Sequence, residues 1–184
     1  MIAPEEVVLN RDCEAIEIPI GTRLTLRKGE EVTIMQSLGG AYTVMTENGL
    51  VRIPGAEADA IGKESVKKIE VPDESLLKDP NEVEKLVWEQ LKTCFDPEIP
   101  VSIVELGLVY LCNVVPLESG GHKVIIHFTL TAPGCGMGDI LKLDIEDKVR
   151  LIPCVKEVDV QVLVDQMWDP SRMSEAARLE LGMF

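Results

Sequence analysis

Apolar residues recur at two different spacings along this chain, and the change of spacing divides it. Up to about Ile61 they come in short runs, Ile16–Ile20, Leu24–Leu26, Val32–Met35, Tyr42–Met45 and Leu50–Ile53, set apart by turns at Lys28-Gly29 and Gly39-Gly40. Runs of that length between turn residues read as strands, and Glu47-Asn48-Gly49 suits a tight hairpin that needs positive φ. Beyond Asp79 a helical spacing takes over, with Val83, Leu86, Val87 and Leu91 on one stripe. Asp79 can cap this helix, Pro80 is preorganised for its first position, and Glu82 stands in the dipole-favoured first turn. The helix should reach about Thr93. Two strands follow, Leu108–Val115 and Val124–Leu130, with Gly120-Gly121 at their turn. A second helix over about Asp139–Leu151 gathers Ile140, Leu141, Ile145 and Val149, and Lys148 and Arg150 suit its negative end. Val155–Val164 alternates as a half-exposed strand does, and Ser174-Glu175 opens a last short helix that Gly182 closes.

The pattern therefore predicts an α+β chain. A small all-β N-terminal domain, a barrel or sandwich, takes residues 1–62. A polar linker with Pro72 takes 63–78. An α-β-β-α-β domain, helices over a small mixed sheet, takes 79–184.

Composition narrows the function. Aromatics make up only 4% of the 184 residues, so the cores must be built of Val, Ile and Leu. A net charge of −14, with no stripe of Lys and Arg, excludes nucleic acid as a partner. The N-terminus has no basic and apolar segments of the kind that make a secretory signal, and no apolar run approaches a membrane span. Five cysteines without a CxxC form neither a disulfide framework nor a zinc ribbon, and the expected home is the reducing cytoplasm.

Chemistry gathers in the second domain. Thr131-Ala132-Pro133-Gly134-Cys135-Gly136-Met137-Gly138 joins an apolar strand to an amphipathic helix. Its glycines leave the Cys135 sulfur uncrowded on a turn at or near the helix N-terminus. The positive end of the dipole there favours the thiolate, the form that attacks electrophiles and binds metals. The plainer reading is a cysteine filling a tight strand-to-helix corner. Asp96 and Glu98 flank Pro97, which displays both carboxylates on an extended turn. Such a pair can split into an acid and a base or serve as hard metal ligands, although Asp-Pro also simply starts turns. Thr131 ends the strand just before the cysteine turn, where its hydroxyl can bond to the loop backbone or to a ligand. Trp168 reads as a hydrophobic anchor and Cys112, in mid-strand, as core. His122 and His127 read as structural or solvent-facing, and neither is close enough in sequence to Cys135 to establish a nucleophile–base pair.

Three segments together carry a family resemblance over Pro80–Phe184. The run Asp96-Pro97-Glu98-Ile99-Pro100 through Leu106-Gly107-Leu108-Val109-Tyr110 resembles the first signature of the iron–sulfur assembly domain shared by SufT and PaaD, and carried also by eukaryotic cytosolic iron–sulfur targeting proteins. Leu130–Gly138 resembles the second signature. Trp168-Asp169-Pro170, Met173-Ser174 and Leu181-Gly182 resemble the third. Gly39–Val44 and Asp59–Gly62 resemble the extension of SufT-type proteins. Gly136 stands where many relatives have proline directly after the cysteine.

The resemblance implies an accessory factor that matures iron–sulfur proteins and is not an enzyme. It maps Cys135 as the functional thiol and transient metal ligand, with Asp96, Glu98 and Thr131 supporting it. It implies no stably bound cofactor, only iron or a cluster in passage. The partners would be the assembly machinery and apo client proteins, with no membrane contact, and the chain would form a homodimer. Two rivals stand beside this reading. A cysteine-dependent thiol enzyme would need a base held at the sulfur. A pure adaptor without metal would leave Cys135 structural.

Overall fold

In the first part, buried positions alternate at Val32 and Ile34 and again at Val51 and Ile53. β1 (Glu5–Val8), β2 (Cys13–Glu17), β3 (Arg23–Leu26), β4 (Glu31–Leu38), β5 (Ala41–Thr46) and β6 (Gly49–Ile53) form one antiparallel sheet in the order β1-β4-β5-β6-β2-β3. Val32, Ile34, Val44, Val51 and Ile53 are buried on it, and a 3-10 turn, Gly55–Ile61, adds Ala60 and Ile61 to the same core. All six described strands join a single sheet.

The computed structural model describes residues 4–66, 69–71, 77–96, 99–132 and 137–183, and the chain divides into two units, Met1–Lys67 and Lys68–Phe184. Two strands differ from the hydrophobic pattern. β1 was not visible in it, because Glu5-Glu6-Val7-Val8 does not alternate and the strand pairs with β4 alone. The expected run Ile16–Ile20 is displaced to Cys13–Glu17. Pro19 has no N–H for a ladder, and Gly21 donates to Glu17 O at 2.8 Å to turn the chain back. Within the expected linker, Val66 N–H donates to Gly55 O (2.8 Å) in the first unit, and Ile69 N–H donates to Leu151 O (3.1 Å) in the second.

The second unit runs α1 (Pro80–Leu91), β7 (Val109–Pro116), β8 (His122–Phe128), α2 (Gly138–Val149), β9 (Val155–Val162) and α3 (Glu175–Glu180). β7 and β8 pair antiparallel, while β8 and β9 pair parallel. A parallel pair needs a crossover, and α2 supplies it. Asp79 accepts the Asn81 N–H at 2.9 Å as the α1 cap, and Pro80 takes the first position. Val83, Val87 and Leu91 of α1 share a core with Leu141, Ile145 and Val149 of α2 and with Val124, Ile126 and Phe128 of β8. The α-β-β-α-β order over a small mixed sheet is thus the observed one.

Two buried polar residues belong to this core. Lys148 stands in the last turn of α2 as the sequence suggests; its Nζ also lies 3.2 Å from Asp144 Oδ2 and donates to Thr93 O at 2.5 Å, tying α2 to the end of α1. His122 opens β8 on the same side as Val124, Ile126 and Phe128 and is only 3% exposed. Neither ring nitrogen meets a hydrogen-bond partner among the described residues.

Candidate functional site

The segment after α1 folds back on itself. Ile103 N–H donates to Cys94 O (2.9 Å), Phe95 bridges to Ser102, and Asp96 N–H donates to Val101 O (3.1 Å). This places Asp96 at the base of a tight loop, where it is 2% exposed. A carboxylate withdrawn from water needs donors in its place, and the loop provides them. Oδ1 accepts the Ile99 N–H at 2.9 Å, and Oδ2 accepts the Thr131 hydroxyl at 3.2 Å.

Thr131 thus reaches across 35 positions to the first signature. The strand that delivers it, β8, is fixed centrally in the sheet between β7 and β9. Two positions upstream, buried Thr129 also donates its hydroxyl, to Gln166 O at 2.5 Å. The end of β8 is thus gripped on both sides.

Of the residues singled out in the sequence, Asp96 and Thr131 are brought together. Glu98 and Cys135 lie outside the described residues. α2 begins at Gly138, three positions beyond Cys135, and Met137 at its N-cap gives no side-chain hydrogen bond to the first turn. Among the described residues no group of three or more His, Cys, Asp or Glu could hold a metal ion.

The other four cysteines are free thiols. Cys13 and Cys94 are buried, while Cys112 and Cys154 are half-buried. Burial pushes the Cys13 thiol up to about 11, with the Glu57 carboxylate adding to it. Burial likewise raises Cys112 to about 12 and also raises Cys154. Each of these three is a poorer thiolate than a free cysteine. Cys112 packs against the second core, as its mid-strand position suggested.

The third signature has a role that the sequence did not disclose. Trp168 Nε1–H donates to Leu106 O (2.7 Å), Arg172 Nε–H to Gly107 O (2.8 Å), and Ser174 N–H to Glu105 O (2.8 Å). The Ser174 hydroxyl also donates to the Glu105 carboxylate. Arg172 stacks over the Tyr110 ring at 3.9 Å. The C-terminal segment thus clasps the second half of the first signature. Gly107, at φ +67°, permits the approach: a Cβ there would stand 2.4 Å from Arg172 O. That glycine was the one signal in the sequence that could have exposed the clasp.

Comparison with known proteins bears on the second unit. A family model described as iron–sulfur cluster assembly protein matches residues 84–162. An Fe-S protein maturation auxiliary factor from Porphyromonas gingivalis is 37% identical over 101 residues, 55% of this chain and 92% of that protein. The auxiliary factor YitW from Bacillus subtilis is 33% identical over 93 residues, 50% of this chain and 87% of its own length. The auxiliary factor SufT from Staphylococcus aureus is 33% identical over 88 residues, 48% of this chain and 96% of its own length. Each relative is matched almost whole by a stretch no longer than the second unit.

Proposed function

The chain belongs to the iron–sulfur cluster assembly protein family, with relatives of the SufT type, and on that premise we propose that it is an auxiliary maturation factor that handles iron or an iron–sulfur cluster as passing cargo at Cys135. The observation that carries this reading is the hydrogen bond between Thr131 and buried Asp96, which joins the first signature to the segment leading into the second. Four positions beyond Thr131, Cys135 precedes a helix whose N-cap residue offers its first turn no side-chain acceptor. The unpaired N–H groups and positive dipole end of such a terminus favour the thiolate, which is the form that ligates iron.

The roles follow from the chemistry of each group. Cys135 supplies a soft thiolate. Asp96 and Glu98 supply hard carboxylate oxygens for iron, or the negative field that tunes the thiol. Thr131 positions Asp96. A stable cluster takes about four protein ligands, mostly thiolates, and one such cysteine per chain falls short. The cargo is therefore loosely held or shared between two copies of the chain, and a weak ligand set suits a donor that must release what it holds. Such a factor is an accessory that works with the assembly machinery and apo clients rather than an enzyme. The free thiols at Cys13, Cys94, Cys112 and Cys154 fit a reducing compartment, the cytoplasm. No helix among the described residues is long and apolar enough to cross a membrane.

The test is anaerobic reconstitution with iron and sulfide, followed by transfer to an apo-acceptor, for the parent and for Cys135→Ser. The parent should load and pass its cargo on. Cys135→Ser, shown to be folded by circular dichroism, should do neither. Equal loading by both proteins would remove Cys135 as the ligand. Maturation retained by an unloaded Cys135→Ser would establish the adaptor reading instead.

A further inference from the structure

The outward face of the first unit carries a groove that the proposed function does not use. On β4 and β5 the inward positions are Val32, Ile34 and Val44, so the residues between them face out. The strand register sets Glu6 of β1 opposite Thr33, and Thr33 opposite Met45; beside them Val8 stands opposite Glu31. Directly facing side chains in such pairs lie about 5 Å apart, so Val8, Thr33 and Met45 form a floor in which Glu6 stands beside Thr33 and Glu31 beside Val8. Glu30 and Glu47, from the turns at the end where β4 begins and β5 ends, complete the wall of a space of about 940 Å3. Val8 is 57% and Met45 41% exposed. The four glutamates are the only charged residues among the described residues lining it. One Glu30 oxygen accepts the Arg27 N–H at 2.8 Å, while Glu6, Glu31 and Glu47 are exposed to water.

We propose that this groove docks a basic segment of a partner protein, with lysine or arginine side chains on the carboxylate walls and an apolar side chain on Val8 and Met45. Charge complementarity selects the occupant. A second copy of this chain, at net charge −14, would bring acid against acid. A bare cation would leave the apolar floor in water, whereas an amphipathic segment covers the floor and neutralises the walls together. This inference stands apart from Cys135, because the groove belongs to the first unit and no step of it involves cargo.

The experiment measures binding of a short fluorescent peptide alternating lysine and valine to the full-length protein, at low and at physiological salt. The groove variant Glu6→Gln/Glu31→Gln/Glu47→Gln is compared with Glu64→Gln/Glu70→Gln/Glu118→Gln, which removes the same charge from other exposed sites. The groove variant should bind about tenfold more weakly or worse, and the control variant by less than about twofold. Met45→Ser should also weaken binding, at both salt concentrations. Cys135→Ser should bind as the parent does, so failure of cargo loading and failure of docking are read separately. Equal weakening by the two triple variants would show only diffuse attraction and overturn the proposal. It would fall equally if the groove variant altered self-association of the chain and left peptide binding unchanged.

Discussion

At the scale of single residues, the second unit is organised by one withdrawn carboxylate. Asp96 is inaccessible to water yet keeps donors on both oxygens, one from its own loop and one from Thr131. Removing the hydroxyl takes one hydrogen bond from a buried carboxyl group, which costs about 1–3 kcal/mol. Thr131→Val should therefore lower the urea midpoint by a stability loss in that range with an unchanged slope, and Thr131→Ser should restore most of it. A midpoint that does not move in Thr131→Val would mean the contact contributes nothing to the fold. The thiols supply a second prediction at this scale. Cys13, Cys112 and Cys154 are held protonated by burial and Cys94 is buried, so iodoacetamide near neutral pH should modify Cys135 first. Mass-spectrometric mapping over time reads this directly, and a Cys135 rate no faster than that of Cys154 would undo the low-pKa argument.

Between elements, the clasp of the C-terminal segment on residues 105–107 depends on backbone approaching backbone. A side chain at Gly107 would meet the Arg172 carbonyl and would also have to adopt positive φ, itself a cost of about 1–2 kcal/mol. Gly107→Ala should release the clasp. Amide exchange at Ser174, which donates to Glu105 O, should accelerate while amides of β8 keep their protection; unchanged exchange at Ser174 would show that the approach can relax. The elements themselves were legible where local rules act. Asp79-Pro80 announced α1, apolar runs about Gly120-Gly121 announced β7 and β8, and alternation announced β9. β1 was not, because an edge strand needs no inward-facing series, and its Glu5-Glu6-Val7-Val8 shows none. Lys148 was legible as a last-turn cation, but its bond to Thr93 O, 55 positions away, was not. The site was half legible for the same reason. Both signatures could be named from sequence by family resemblance, but the bond between Asp96 and Thr131 exists only after β8 has been placed beside the loop.

For the molecule as a whole, two cores carry two titrating thiols, and alkaline pH should separate them. Cys13 belongs to the first core and Cys112 packs on the second, with thiols raised to about 11 and about 12. An unfolded cysteine titrates near 8.5, so the folded chain keeps these protons after the unfolded chain has lost them. Stability from each thiol is then complete below about pH 8.5 and is lost as pH rises through the folded value. Unfolding free energy should stay level near neutrality with respect to these groups and decline from about pH 9 upward. The chain has two tryptophans, Trp88 and Trp168, both in the second unit. Tryptophan emission during urea unfolding therefore follows that unit. Its alkaline decline should flatten in Cys112→Ala, whatever the baseline loss from the smaller side chain, and should persist in Cys13→Ala. A decline in tryptophan emission that Cys13→Ala abolishes would mean that the two cores unfold as one cooperative body.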